Sequence, residues 1–289
     1  MNKILLIAAS ALMLFACSKQ DSSINAQGEK TILHATLEGI PGSGTKVYSN
    51  DALKLLWNAD DRISVFKKRT YNDQYKFLGN DGDAGGNFEE IPVSGFISGN
   101  DIDHILAVYP YVKKTNKVNN AGNMLTVTLP AEQVYKANSV GVAANYMVAI
   151  SDDLNLQFKN ACGYLKFRFW GEGVSVSSIK LEGNNGELLA GKADITPVMG
   201  GTPTTAMQTE AGAATGSITL TCDTPVVLGT SATEATDFIF VVPPTTFTGG
   251  FKVTVTDNAG KTFVKSSTKS LTITRNKMEN MAAMQVVPN

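Results

Sequence analysis

Apolar and polar side chains alternate with a period of two from one end of this chain to the other, and that leaves one class of fold. In TILHATLE (31–38), Leu33, Ala35 and Leu37 fall on one parity, and Ile32, His34, Thr36 and Glu38 on the other. RISVFK (62–67) places Ile63 and Val65 together. Residues 75–78 and 88–91 are short candidates on either side of the turn NDGDAGG. ILAVY (105–109) stops at Pro110, LTVTL (125–129) stops at Pro130, and YMVAI (146–150) runs into Ser151-Asp152-Asp153. Segments 154–158, 164–170, 178–181, 216–221, 238–242, 251–256, 262–264 and 271–274 repeat the pattern. Alternation of this kind reads as strands with one buried face. No long helical stripe interrupts it. Only 52–57 and 276–284 read as about a turn or two of helix each. Short strands joined by turns predict an all-β chain of antiparallel sheets, packed as sandwiches.

A divide near Asn160 leaves about seven short strands on each side, the number that one sandwich needs. The expected organisation is therefore an N-terminal sandwich over 31–160 and a C-terminal sandwich over 161–289. Residues 197–216, PVMGGTPTTAMQTEAGAATG, and residues 222–236 read as long loops of the second half.

The first 30 residues follow another logic. Lys3 precedes a nearly unbroken apolar run from Ile4 to Ala16. Such a run has the length of a signal-peptide core and is too short for a helix that spans a bilayer, which needs about 20 residues. It ends Leu14-Phe15-Ala16-Cys17, which resembles a bacterial lipobox. The resemblance implies cleavage between Ala16 and Cys17, with 1–16 removed as a lipoprotein signal peptide. It also implies that the Cys17 thiol is diacylated through a thioether and that the new amine is then acylated, with palmitate-type chains. Each buried methylene adds roughly 0.8 kcal/mol, and more than one chain makes a lasting anchor. Residues 17–30 carry a single apolar side chain larger than alanine after the cysteine, Ile24, and are expected to form a flexible tether.

Two further cysteines remain, Cys162 and Cys222. On strand parity Cys162 falls opposite Leu165, Phe167 and Phe169, whereas Cys222 shares a face with Ile218 and Leu220. One thiol is expected to point outward and one inward, so both are expected to be reduced.

A formal net charge of −1 offers no electrostatic footprint for nucleic acid. No G-x-S-x-G, H-E-x-x-H or phosphate-binding loop occurs, and an enzyme is not expected. His34 and His104 lack partners at metal-ligand spacing. Asp81 and Asp83 open a calcium-loop-like run, but Gly85 and Pro92 stand where ligands are required, so a hairpin turn is the better reading. Asp60-Asp61 reads as the turn into RISVF. Trp57 and Trp170 suit either a core or a face that stacks on sugars. No cofactor and no metal are expected.

Seven stretches in order resemble the fimbrillin family of Bacteroidetes pilus subunits. They are WNADDRISVF (57–66), AVYPY (107–111), LPAEQ (129–133), LQFKNACGYLKF (156–167), SSIKLEGNNGELLAG (177–191), FVVPPTTFTGGFKVTVTD (240–257) and TRN (274–276). The resemblance implies two transthyretin-like β-sandwiches in tandem. It implies a surface-exposed lipoprotein of the cell outer membrane, tied to lipid through Cys17. It further implies assembly with other fimbrillin subunits into a fimbrium, or pilus, that serves cell adhesion. Family subunits polymerise by donor-strand exchange: a protease removes the first strand of the N-terminal sandwich, and a strand of another subunit fills the groove. Here the removable strand is TILHATLE, and the basic residue in the following loop is Lys46, where the family usually has arginine. The chain ends about a dozen residues after TRN, short of a further donor segment, which suggests a tip or anchor subunit. Surface glycans or proteins are the ligand classes implied for adhesion. The alternative is a monomeric surface lipoprotein of the same architecture that binds glycans.

Overall fold

The computed structural model describes residues 30–40, 54–69, 71–92 and 99–287. The first half contributes β1 (Ile32–Leu37), β2 (Arg62–Lys68), β3 (Tyr71–Phe77), β4 (Gly85–Glu90), β5 (Asp101–Tyr109), β6 (Lys117–Val118), β7 (Leu125–Leu129), β8 (Glu132–Val134), β9 (Met147–Ser151) and β10 (Asn155–Asn160). The second half contributes β11 (Gly163–Trp170), β12 (Ser175–Gly183), β13 (Ala190–Thr196), β14 (Thr204–Met207), β15 (Ala214–Thr215), β16 (Ser217–Val227), β17 (Thr236–Val242), β18 (Thr245–Phe247), β19 (Phe251–Asp257), β20 (Thr262–Ser267), β21 (Leu271–Ile273) and β22 (Met278–Gln285). A short 3-10 turn, Ala232–Glu234, precedes β17, and no α-helix occurs among the described residues. The protein is all-β, as the alternation predicts.

Seven strands of the first half close on themselves in the order β1-β10-β9-β5-β2-β3-β4. Their inward parity supplies Leu33, Ala35, Ile63, Val65, Tyr75, Phe77, Phe88, Ala107, Met147, Ala149, Leu156 and Phe158. Trp57 plugs this barrel although it belongs to no strand. Its backbone holds it to the 79–83 turn, with Trp57 N–H donating to Asp83 O at 2.8 Å and Gly82 N–H donating to Trp57 O at 2.9 Å. Its ring meets Phe88, Tyr109 and Phe158 edge-on, at centroid separations of 5.0, 5.4 and 5.5 Å. Residues 54–57, the described part of the segment expected as helix over 52–57, are therefore not helical, and the tryptophan is core.

The second half stacks sheet β17-β11-β22 against sheet β20-β19-β12-β16-β8. Leu165, Phe167 and Phe169 of β11 face Ile179, Leu181, Leu220, Val253 and Val255 across this core. A further apolar layer joins the halves. It gathers Phe66, Leu106, Val108 and Val148 from the outside of the barrel, Leu125, Val127, Ala193 and Ile195 from β7 and β13, and Cys162, Tyr164, Ile239 and Val241 from the reverse face of β11 and β17. The start of strand β11, around Tyr164, is thus covered on both faces. That corrects the expectation for Cys162: its parity is opposite to Leu165, as expected, but that side meets a second core and not solvent, leaving the thiol buried. Cys222 is part-buried, and both thiols are free.

Segment β6–β8 leaves the barrel after β5 and returns at β9. Within it β7 pairs antiparallel with β13 and β8 pairs parallel with β16, so hydrogen-bonded ladders cross the expected divide at residue 160. The expected loop over 197–216 includes β14, paired to β13, and the two-residue β15. Residues 278–285, partly expected as helix, form β22 and pair parallel with β11. Asn280, Met281, Ala282, Ala283 and Met284 include good helix formers, but pairing along β11 overrides that weak preference.

Candidate functional site

Ala16, Cys17 and Lys46, the positions singled out by the sequence, lie outside the described residues. The strand that the sequence marks as removable is fully described, and its seat is the candidate site.

Strand β1 closes the barrel. It pairs antiparallel with β4, with Leu33 opposite Phe88 and Ala35 opposite Gly86, and parallel with β10, with Ala35 opposite Leu156. The β1–β10 ladder is the parallel one in a barrel otherwise paired antiparallel. Leu33 and Ala35 are fully buried, and Leu37 is half-buried. Burying one leucine is worth about 1.5–3 kcal/mol, and each ladder hydrogen bond adds about 0.5–1.5 kcal/mol net. Gly85 of β4 allows the close approach. A Cβ on Gly85 would stand 2.9 Å from the Ala35 carbonyl oxygen, and one on Gly86 would stand 2.9 Å from the Phe77 ring. Gly85 thus admits the strand and Gly86 makes room for the Phe77 ring, roles beyond the turn that the sequence suggests.

The far end of β1 is fixed by a polar cluster. Glu38 N–H donates to Phe158 O at 2.9 Å. The Arg275 guanidinium grips the Glu38 carboxylate with both arms: Nη1 donates to Oε2 at 2.6 Å and Nη2 to Oε1 at 3.1 Å. Asn160 N–H donates to the same Oε2 at 3.0 Å, and Arg275 Nη1 also donates to Asn160 O at 2.9 Å. Asn276 Nδ2 donates to Gly39 O at 3.0 Å, while its Oδ1 accepts from Asn160 Nδ2 at 2.7 Å. Asn145 Nδ2 donates to Asn160 Oδ1 at 2.8 Å, and the Tyr164 hydroxyl donates to Asn145 Oδ1 at 3.0 Å. Asn276 sits at φ +57°, a left-handed conformation that asparagine tolerates better than most residues. Asn145, Asn160 and Asn276 are buried, and each is satisfied by these bonds, as buried amides require. Burial also lifts the Tyr164 phenol well above its ordinary pKa. The sequence shows TRN as part of a resemblance. It gives no sign that Arg275 meets Glu38, because the two lie at opposite ends of the chain.

The near end of β1 is looser. Lys30 pairs with Glu89 at 2.8 Å in an exposed position, and Glu90 N–H donates to Thr31 O at 3.0 Å. Beside it, Lys67 Nζ donates to Tyr75 Oη at 2.9 Å and to Glu90 Oε2 at 3.4 Å. Asp73 faces inward, 3.8 Å from Lys67. Burial, with Glu90 adding to it and Lys67 opposing, pushes its carboxyl up to about 6.

The remaining polar candidates serve turns. Asp60 pairs with Lys76 at 2.6 Å, and Asp61 accepts from Asn58 N–H at 2.8 Å and the Tyr109 hydroxyl at 3.2 Å. Asp81 accepts from Ala59 N–H at 2.7 Å and Asp83 from Asn80 N–H at 2.8 Å, which makes the 79–83 segment a turn, as expected. His104 contacts Asp152 at 2.5 Å, and His34 contacts Asn87 at 3.1 Å. No group of His, Cys, Asp and Glu suited to hold a metal occurs among the described residues. A cleft of about 680 Å³ opens between β20 and β22, floored by Phe167, Phe251 and Val253 and rimmed by Lys265 and Lys269.

No family model matches the chain, and no curated protein matches it. Among solved structures it is similar to a Bacteroides ovatus protein named "putative cell adhesion protein", at 13% identity and a TM-score of 0.49, over 88% of this chain and 91% of that one. A Bacteroides uniformis protein of the same name is similar at 16% identity and a TM-score of 0.46, over 90% and 93% of the two chains. A fimbrial protein from Bacteroides ovatus is similar at 12% identity and a TM-score of 0.31, over 89% of this chain and 50% of that one.

Proposed function

We propose that the chain is a structural subunit of a cell-surface fimbria, assembled by exchange of its first strand and acting in adhesion as a tip or anchor subunit. In this reading the chain is a lipoprotein. It is cut between Ala16 and Cys17, held to the outer membrane through acylated Cys17, and matured by cleavage near Lys46. Its two halves are variants of the transthyretin-like sandwich, with 31–160 and 161–289 as their nominal limits. Its partners are other fimbrillin subunits, with surface glycans or proteins as adhesion ligands.

The observation that carries the reading is the seat of β1. One short strand closes the barrel and is flanked by ladders on both edges. Taking it away leaves the edges of β4 and β10 unpaired and uncovers the sites of Leu33 and Ala35. Unpaired edges over an apolar groove are what an incoming strand satisfies.

The test is cleavage in the loop that holds Lys46. The cut chain, mixed with subunits that carry a C-terminal strand extension, is expected to form oligomers that persist in SDS without boiling. A cut chain that loses its first strand yet stays monomeric with an unchanged melting temperature overturns the reading.

A further inference from the structure

The seat of β1 keeps a cation that only a carboxylate on the seated strand neutralises. The Arg275 side chain is 15% exposed, and Glu38 is its sole ion-pair partner among the described residues. Asn160 N–H points at the same carboxylate, so three donor contacts converge on its two oxygens. When β1 leaves, Glu38 leaves with it, whereas Arg275 and Asn160 stay with the seat. A guanidinium left in such a place without a counter-charge is costly, and the cost falls on any complex whose new strand fails to supply one.

We infer that Arg275 selects the strand that replaces β1: the partner segment carries an acidic residue directly after the last of its inward apolar residues. This rests on the strand-exchange reading above and adds the chemistry of the partner. The remaining demands come from the same seat. The incoming segment needs a leucine-sized residue at the site of Leu33 and another at the site of Leu37. It needs a small residue at the site of Ala35, which lies opposite Gly86 and is fully buried. The motif is apolar-x-small-x-apolar-acid. Glutamine does not substitute for the acid. Its amide offers one acceptor oxygen to donors that now have two, and it turns an NH2 group toward Arg275 or the Asn160 N–H. Asn276, which binds the Gly39 carbonyl, asks nothing of the side chain that follows, since it reads backbone only.

The experiment uses the full chain with a specific protease site inserted beside Lys46, cut after folding and challenged with excess dye-labelled peptides. The probes are TILHATLE and its glutamine form TILHATLQ, followed by native mass spectrometry and fluorescence anisotropy. The expected result is that TILHATLE enters and TILHATLQ binds roughly ten-fold or more weakly, the scale of a hydrogen-bonded charge pair. In the Arg275→Met chain the two peptides are expected to bind within about two-fold of each other. Equal binding of both peptides to the unaltered chain overturns the selection by Arg275 while leaving strand exchange standing, and this comparison needs no variant to fold. If neither peptide enters, the strand-exchange reading fails and the inference fails with it.

Discussion

In the barrel every strand edge has a partner, whereas in the second half β20 and β22 each end a sheet with an edge that no described strand pairs. The closed ring depends on each of its members, because removing one creates two open edges at once. The stacked sheets already tolerate open edges, and they blunt one of them. The segment along β20, TFVKSSTKS, puts Lys265 and Lys269 beside the cleft, and lysines on an edge discourage pairing with other chains. Continuous pairing therefore makes the first half the more vulnerable to loss of one strand, although its core is the better sealed.

The comparison breaks most sharply if β1 is deleted. A chain lacking residues 31–38 is expected to lose the cooperative unfolding of the barrel or to aggregate, by calorimetry and light scattering. A deletion variant with a near-native melting temperature would show that ring closure stabilises nothing. Next in size is the core itself. Trp57→Ala is expected to cost about 3–5 kcal/mol in chemical denaturation, and Phe251→Ala nearer the lower end of that range because it lines the open cleft. A larger loss at Phe251 would reverse the ranking of the two cores.

A smaller effect separates the halves by pH. Asp73 titrates at about 6 in the folded barrel, above its ordinary 3.8. Between those values the folded state holds the proton more tightly than the unfolded chain, so this group lowers stability progressively as pH rises from about 4 to 6, and by a constant amount above that. Asp73→Asn is expected to stabilise the protein by about 1–3 kcal/mol at pH 8 and by little at pH 4. A gain equal at both pH values would mean that the carboxyl is not strained by burial. Smallest is the exposed edge: Val264→Lys on β20 is expected to change stability by less than about 0.5 kcal/mol. A loss of several times that size would show that the edge is covered in solution.

Much of the barrel is legible because its interior takes one parity from each strand. Leu33 and Ala35, Ile63 and Val65, and Leu156 and Phe158 all fall where alternation puts them. Legibility fails where a strand is covered on both faces, since parity then no longer separates core from solvent. Cys162 is the example: its off-parity position is correct, yet that side, shared with Tyr164, Ile239 and Val241, is covered by a second apolar layer. Strand β13, AGKADIT, escapes notice because Gly191 and Ala193 give its apolar face little bulk beside Ile195, and it is fixed by its pairing with β7. The site is half visible. TILHATLE announces itself as a strand with a core face, but the grip of Arg275 on Glu38 is a long-range contact, and no local pattern encodes it.

The excursion of β6–β8 out of the barrel has a mechanical consequence. A subunit of the fibre proposed above would carry tension, and two beads joined by one covalent link would swivel under load. Here the Leu125–Leu129 ladder to β13 and the Glu132–Val134 ladder to β16 fasten the excursion to the second half, so the chain passes between barrel and second half three times, after β5, before β9 and after β10, beside a shared apolar layer. Swinging the barrel away breaks no ladder, but it must bend all three crossings and uncover that layer, so in such a fibre the subunit would transmit force as a stiff strut. Its two ends then keep a fixed angle, and the curvature of any fibre built from it is set at the joints between subunits.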